Sequence, residues 1–393
     1  MKAVNHLPLF TWRIRRRTDV PFWLNITIRL LSVVIALILV GLVLKISGLQ
    51  PIILVKKALK QTLGTNYGLQ QALILATPLV MTGLAVAIGM QMRLWNIGAE
   101  GQLFLGAFAA TAVGLFVHGP VVVVMVLMLL AGMIGGMVWI LIPAILRAYW
   151  NINEIITTLL LNFVAVLLVN YFAIGPWRDT KNAILSATSR IPYEIPVFRN
   201  SYLHIGIFIP LIIAILLEVV IRNTKWGYEV RVVGRNRGVA EFAGIPVRNQ
   251  ILIIMLISGA IAGIAGMIEI SATAHRLSGT ISNNYGFMGI IVAALANGSP
   301  LGVLVSGFLL AVLLNAGIIL QTSGLSVNTM LAINGVILIF AAIGETITQY
   351  ELVSEQTETP VSPSASSVKV QDSMEPRLEQ SNGQTISEQE NTE

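Results

Sequence analysis

Long apolar stretches, separated by short polar segments, fill most of the first 350 positions of the chain. A helix needs about 20 apolar residues to cross the hydrocarbon core of a bilayer. By that measure the pattern predicts ten membrane-spanning helices, at roughly 26–44, 71–90, 102–118, 121–146, 154–174, 203–221, 250–270, 286–298, 303–320 and 328–345. The eighth stretch is short and rich in Gly and Ala, so we expect half of a broken helix there. The predicted class is an all-α, polytopic integral membrane protein.

The composition agrees with a lipid environment and divides the chain into three parts. Hydrophobic residues make up 55% of the 393 positions and charged residues only 11%, whereas soluble domains carry about 25% charge. A basic N-terminus at 1–25 precedes the membrane domain at 26–345. The tail at 346–393 is acidic and rich in Ser, Gln and Glu. Because it has too little apolar surface to offset its ordering entropy, we predict that it is disordered.

Charge also predicts the orientation of the membrane domain. Ten spans place both termini on one side, and the basic run Arg13–Arg17 indicates that this side is the cytoplasm. Residues 175–202 then form an external loop, and residues 222–249 form the main cytoplasmic loop. Residues 1–350 carry 23 basic and 10 acidic side chains. That excess indicates orientation in, and contact with, membrane lipid rather than a nucleic acid partner.

Several chemistries find no support in the sequence. There is no cysteine, and the four histidines lack the spacing of metal ligands. No Gly is followed directly by Lys, which excludes a phosphate-binding loop of the GxxxxGK[ST] type. No residues form a nucleophile–base pattern. We therefore expect no enzymatic activity, no cofactor and no metal, and any ATP-driven transport needs an ATPase on another chain.

Two segments of the chain resemble each other. Thr82–Gly89 in the second predicted span is similar to Ser258–Gly266 in the seventh, and each is followed by an Asn and a Gly-containing re-entry. An offset of five spans reverses the orientation of the second copy. The pattern predicts an inverted repeat, although small residues also recur in membrane helices without any repeat.

A polar stretch interrupts the apolar pattern between the second and third spans. Asn96, Glu100 and Gln102 lie there among two glycines. Irregular backbone at membrane depth needs protein or a water-filled cavity to satisfy its polar groups, and an ionisable group there indicates function. The alternative is a polar interfacial turn in which Glu100 caps the third span.

A second polar stretch opens the fifth span. Asn153 can cap that helix, with Glu154 in its first turn. Thr158 and Asn162 are four residues apart and therefore share a face, which should point into the bundle because an amide facing lipid is costly. These groups either line a pathway or form hydrogen bonds between helices.

The cytoplasmic loop contains a short helical pattern. Residues 239–243 suit one or two turns of helix, which Gly244 and Pro246 would end. Exposed Phe242 and Ile245 on such a helix need a partner surface. The alternative is a helix that lies on lipid headgroups, attracted by its arginines.

Four segments resemble the permeases of ribose-, branched-chain-amino-acid- and nucleoside-type ABC importers. In chain order they are Asn96–Gln102, Asn153–Asn162, Gly234–Ile245, and Tyr285–Leu295 with Ser299–Gly302. The last three are similar to the nucleoside or simple-sugar branch, and the likeness covers about residues 70–345. Arg235 and Arg237 depart from the family pattern by adding positive charge to the third segment.

The resemblance implies a multi-pass permease subunit in a bacterial cell membrane. Such permeases pair with a second homologous permease, a cytoplasmic ABC ATPase and an extracytoplasmic substrate-binding protein. The loop after the sixth span would couple to the ATPase through Gly238, Val239, Ala240, Glu241, Phe242, Ala243, Gly244 and Ile245. The translocation pathway would involve Asn96, Glu100, Gln102, Asn153, Glu154, Thr158 and Asn162.

Three hypotheses on transport follow. The first is import of nucleosides by alternating access, because amide and hydroxyl side chains can bind both ribose and base. The second is the same machine with a simple sugar or a branched-chain amino acid as its substrate. The third is an ion-coupled secondary transporter that works alone.

Overall fold

The computed structural model describes residues 10–16, 22–46, 48–180, 186–322 and 324–356. Most of the tail that we predict to be disordered lies outside these residues. Of the tail from 346 onward, the described part completes the last helix and then forms a strand. The basic N-terminus is described only over residues 10–16 and from residue 22 onward.

The helices and strands follow one another along the chain in an order close to the predicted one. Their bounds are β1 (Phe10–Arg16), α1 (Phe22–Ile46), α2 (Pro51–Leu63), α3 (Asn66–Met90), α4 (Ala99–Phe116), α5 (Val121–Trp150), α6 (Glu154–Ile174), α7 (Phe208–Asn223), α8 (Lys225–Arg235), α9 (Arg237–Phe242), α10 (Val247–Ile268), α11 (Tyr285–Leu295), α12 (Pro300–Gln321), α13 (Val327–Gln349) and β2 (Tyr350–Gln356). A short 3₁₀ helix (Ile205–Ile207) leads into α7, and a π-helical segment (Glu269–Ala274) extends α10.

The strands form a small unit of their own. β1 pairs with β2 in a two-stranded sheet, and all but the ends of the strands next to the helices belong to a compact unit distinct from the helical one. In β1 the apolar Phe10, Trp12 and Ile14 alternate with polar residues, which is the period of a strand. The prediction of an all-α protein did not include this pair, because the apolar-length criterion does not detect short alternating segments.

The helical unit confirms a multi-pass membrane protein. Within the described residues, seven helices are long and apolar enough to cross a bilayer: α3, α4, α5, α6, α7 with its 3₁₀ turn, α10 with its π extension, and α12. The predicted spans at 26–44, 286–298 and 328–345 correspond to α1, α11 and α13, whose described apolar segments are shorter, at 10–17 residues. The total of ten spans therefore stays a prediction. With 11 residues, α11 rises about 16 Å, which is short of the roughly 30 Å of a bilayer core; that it is half of a broken helix stays a prediction.

Two amphipathic helices were not predicted. In α2 the buried side chains of Leu54, Ala58 and Thr62 share one face, and three lysines lie among the remaining positions. In α8 the buried residues include Val230 and Val233, and its basic side chains lower the mean hydropathy of the segment. Both helices are too polar overall for an apolar-length criterion, although the period of their buried positions is helical.

The helices pack in two crossed sets. α10 packs mainly against α4 and α5, and α3 packs mainly against α11 and α12. The first set meets at glycines, because a Cβ on Gly263 of α10 would collide with the backbone carbonyl of Gly132 in α5. In the second set, a Cβ on Gly83 of α3 would press on Val292 of α11 and Val303 of α12. The predicted repeats begin at α3 and α10. Each of these first helices therefore packs with the second and third helices of the other repeat, which is the arrangement expected if two related copies exchange their first helices.

Candidate functional site

The side chain of Asn96 makes four hydrogen bonds that hold the backbone between α3 and α4. The Oδ1 atom of Asn96 accepts hydrogen bonds from the Gly98 backbone N–H (2.9 Å) and from Nε2 of Gln102 (2.9 Å). Its Nδ2 donates to Oε1 of Gln102 (2.8 Å) and to Oγ of Ser258 in α10 (2.7 Å). Asn96 and Gln102 are buried. Their amides are thus used to fix the loop 94–98 against α4 and α10.

Asn162 of α6 holds the same loop from the other side. Its Oδ1 accepts from the Gly101 backbone N–H (2.9 Å), and its Nδ2 donates to the Ile97 carbonyl (2.9 Å). The Thr158 hydroxyl donates within its own helix, to the Glu154 carbonyl (2.6 Å). Thr158 and Asn162 are both buried, as their spacing predicts. The alternative of hydrogen bonds between elements therefore describes Asn162, whereas the Thr158 hydroxyl donates within α6.

Glu154 joins the loop to a basic side chain near the start of α6. Its Oε1 accepts from the Trp95 backbone N–H (3.3 Å), and its Oε2 lies 3.2 Å from Nε of Arg147. Burial and the neighbouring Arg147 lower the pKa of Arg237, while Glu154 and Glu241 raise it. Arg237 of α9 therefore lies within the electrostatic field of the Arg147–Glu154 pair. Asn153 is exposed and caps α6 by accepting from the Ile155 backbone N–H (2.9 Å), as predicted.

Glu100 caps a helix, but that helix is not its own. Its Oε2 accepts from the Gly286 backbone N–H at 2.7 Å. The carboxylate also accepts hydrogen bonds from the Ser282 side chain and from the Phe287 backbone. These donors lie at the N-terminus of α11. Glu100 lies in the first turn of α4, as the alternative predicts, but its carboxylate accepts from a backbone N–H 186 positions away in sequence.

The two related segments make matching contacts. The Thr82 hydroxyl of α3 donates to the Tyr285 carbonyl at the start of α11 (2.9 Å). The Ser258 hydroxyl of α10 binds Asn96 in the loop before α4, and it also donates to the Ala85 carbonyl of α3. Each hydroxyl that opens one copy of the repeat thus binds the re-entry segment of the other copy, which supports the predicted relation between them.

A cavity of about 510 Å³ lies between α4, α6 and the segment that leads into α11. Of the predicted pathway residues, only Glu100 and Asn162 line it. Four others, Asn96, Gln102, Glu154 and Thr158, are buried and do not line it, and Asn153 is at the surface. The lining residues that the sequence analysis missed are mainly aromatic or neutral and polar: Phe104, Phe163, Thr280, Asn283, Asn284 and Phe287.

A signal for part of this set was present in the sequence. Asn283 and Asn284 both have positive φ angles, of 46° and 65°, in the left-handed region that asparagine tolerates better than most residues. Two adjacent asparagines directly before Tyr285–Gly286 therefore indicated a tight turn at the N-terminus of α11. The phenylalanines carried no such signal, because membrane helices contain many apolar side chains that face lipid.

The predicted coupling segment contains a helix, α9, that begins two residues earlier than expected. Asn236 caps it by accepting from the Val239 backbone N–H (3.2 Å), and Gly244 ends it with a φ of +76°. Phe242 is 96% exposed. Ala240 is buried and Ile245 is half-buried, and the exposed remainder is Gly238, Val239, Glu241, Phe242, Ala243 and Gly244. A large apolar side chain is thus presented to the surroundings on a short, capped helix.

The amino-acid sequence is similar to those of known transport proteins. The profile of the family described as the permease component of branched-chain amino acid transport systems matches residues 68–342. A glucose ABC transporter permease of Haloferax volcanii is 34% identical over 86% of this chain and 92% of its own length. A guanosine ABC transporter permease of Bacillus subtilis is 32% identical over 73% and 84%. A nucleoside ABC transporter permease of Lactococcus lactis is 26% identical over 81% and 91%. No solved structure matches.

Proposed function

Because this chain belongs to the family of permease components of branched-chain amino acid transport systems, we propose that it forms the nucleoside pathway of an ABC importer. It is a multi-pass permease subunit of the plasma membrane, and its family consists of transport components rather than enzymes. An ATPase and a substrate-binding protein are its partners in transport. The nucleoside, the second permease and the location of both termini in the cytoplasm belong to the proposal.

The observation that carries the choice of substrate is the cavity beside Glu100. Three phenylalanines line it together with three asparagines and a threonine. Aromatic side chains stack on flat rings, and amides and hydroxyls bind ribose hydroxyls and base edges. The relatives named for guanosine and nucleosides agree with this choice. A simple sugar, which the Haloferax volcanii relative suggests, uses the polar groups but has no flat ring for the phenylalanines.

The proposed mechanism is alternating access driven through α9. The ATPase would grip the exposed Phe242 and the surface around it, from Gly238 to Ile245. Arg237 at the start of α9 lies in the field of Glu154, and Glu154 accepts from Trp95 in the loop before α4. In this proposal, motion of α9 is transmitted through Arg237 and Glu154 to the loop before α4.

The parts that move are proposed to be the two crossed sets of helices rather than the two halves of the sequence. Because α10 packs with α4 and α5, and α3 packs with α11 and α12, each set contains helices from both copies. In this proposal the path is lined by Glu100 and Asn162. The structure around the path is held in place by the other predicted residues: Asn96, Gln102, Asn153, Glu154 and Thr158.

The substitution Phe242→Asp tests the coupling role. In the assembled complex we expect normal membrane insertion and loss of substrate-stimulated ATP turnover, because a charge replaces the apolar contact with the ATPase. Phe242→Leu is the matched control, and it should keep most of the stimulation since it stays apolar. Unchanged ATP turnover in Phe242→Asp would show that the ATPase docks on another part of the chain.

Uptake by reconstituted proteoliposomes tests the class of transporter and the substrate. We expect uptake only when the ATPase and the binding protein are present, whereas an ion-coupled transporter would act alone under an ion gradient. Competition by unlabelled uridine, guanosine, ribose and leucine then separates the substrates. Competition by ribose or leucine but not by the nucleosides would overturn the nucleoside assignment.

A further inference from the structure

The described cavity wall carries charge of one sign only. Among the described residues that line the cavity, Glu100 carries the one ionisable side chain, and none is Lys, Arg or His. A substrate with a phosphate or carboxylate group would therefore meet a carboxylate and no cation. In a site of low dielectric constant, such a like-charge encounter is strongly unfavourable.

The other feature that could attract an anion is the N-terminus of α11. Discontinuous membrane helices often direct their positive N-terminal ends at anionic groups of a substrate. Here that end is already occupied, because Glu100 accepts from the Gly286 backbone N–H at 2.7 Å and from the Phe287 backbone and the Ser282 side chain. Residue 286 must be glycine for this approach, since a Cβ there would collide with Glu100.

We infer that Glu100 is a specificity-determining residue, which makes the pathway accept neutral solutes and reject their phosphorylated counterparts. The inference rests on the proposed function only in taking this cavity as the pathway. The carboxylate offsets the positive end of α11, so that an anion in the cavity meets neither a cationic side chain among the described lining residues nor an unoccupied helix N-terminus.

The remaining polar groups of the wall fit a neutral substrate. Thr280, Asn283 and Asn284 are exposed in the cavity wall, and their hydroxyl and amide groups both donate and accept hydrogen bonds. Such groups can bind ribose hydroxyls and base edges without requiring a charge. The cavity is therefore expected to take a nucleoside rather than a nucleotide, and a free sugar rather than a sugar phosphate if sugars enter at all.

The test measures binding to the permease–ATPase complex in nanodiscs, without the binding protein, so that the selectivity of that protein does not intervene. Tritiated guanosine is displaced by unlabelled guanosine and by guanosine 5′-monophosphate. In the wild type we expect the monophosphate to compete about 100-fold more weakly. Glu100→Gln keeps the shape of the side chain and an acceptor for the Gly286 N–H. It should lower the ratio of the two inhibition constants, that of the monophosphate over that of guanosine, to about tenfold or less. Glu194→Gln removes an exposed carboxylate outside the cavity and should leave the ratio unchanged.

A second variant keeps the inference open to contradiction if Glu100→Gln does not assemble. Thr280→Lys adds a cation at an exposed lining position and leaves the cap on α11 intact, so it should also narrow the ratio. A wild-type ratio near one would overturn the inference, as would an unchanged ratio in these variants.

The same assay with glucose and glucose 6-phosphate separates this inference from the proposed function. Binding of glucose but not guanosine, with rejection of glucose 6-phosphate, would overturn the nucleoside assignment and support the role of Glu100. Equal binding of guanosine and its monophosphate would support nucleosides as a class and overturn the role of Glu100.

Discussion

The loop that leads into α4, residues 94–98, and the short helix α9 use the same type of residue in opposite ways. Asn96 makes four hydrogen bonds that fasten its loop to Gln102 and Ser258 as well as to its own backbone. Asn236 accepts one hydrogen bond, from the Val239 backbone N–H, and caps only its own helix. The first region is tied to α4, α6 and α10, whereas the second presents Phe242 to its surroundings.

This difference teaches where the polar residues of a membrane chain act. Inside the bundle, a polar side chain without a hydrogen-bond partner is costly. The amides of Asn96, Gln102 and Asn162 therefore form hydrogen bonds with the backbone or with one another. At the membrane surface water satisfies polar groups, and the informative residue is the exposed apolar one. We therefore interpret the loop as the fixed frame of the site and α9 as the part that a partner grips.

The largest effect is expected from removing the frame. Asn96→Leu keeps a similar volume but leaves Gln102, Ser258 and the Gly98 N–H without their buried partner. We expect the free energy of unfolding to fall by about 3–5 kcal/mol, measured by thermal unfolding of the purified complex in detergent. Asn223→Leu, at an exposed position at the end of α7, is the control and should change little. Wild-type stability of Asn96→Leu would contradict the view of this loop as a frame.

How much of this frame the sequence predicts depends on whether a contact is local. The spacing of Thr158 and Asn162 predicted one buried face, and apolar length located most of the long helices. Periodicity does not show whether a buried polar group is already hydrogen-bonded, so pattern alone could not separate the two predicted pathway residues that line the cavity, Glu100 and Asn162, from the other five. The cap of Glu100 on α11 joins residues 186 positions apart, and no local rule predicts such a contact.

A smaller effect is expected at the connection between the two regions. Glu154→Gln keeps an acceptor for the Trp95 N–H but removes the charge that faces Arg147 and Arg237. Breaking a buried ion pair costs several kcal/mol; because the Arg147 side chain is 18% exposed, we expect about 1–2 kcal/mol of stability to be lost. Glu194→Gln, in an exposed pair with Arg190, is the control and should cost about 0.5 kcal/mol or less.

A double-mutant cycle sharpens this prediction. Arg147→Met removes the other partner, and the double variant should be more stable than the sum of the single losses predicts, because no uncompensated charge remains. Strictly additive losses would show that Glu154 and Arg147 do not interact, so that Arg147 would not hold Glu154 in place beside the loop. Thermal unfolding and substrate-stimulated ATP turnover are measured on the same preparations.

The smallest change in global stability is expected at α9 itself. Asn236→Ala removes the cap, which is worth about 1 kcal/mol to a helix, and α9 has only six residues to compensate. Since Ala240 is its one buried residue, fraying should stay local and the unfolding temperature of the complex should not change. Hydrogen exchange over residues 237–242 should become faster, and ATP stimulation should fall less than in Phe242→Asp. Asn236→Asp keeps the cap and should exchange as the wild type does. If Asn236→Ala instead lowered global stability as much as Asn96→Leu, α9 would be part of the frame, and the contrast between the two regions would be wrong.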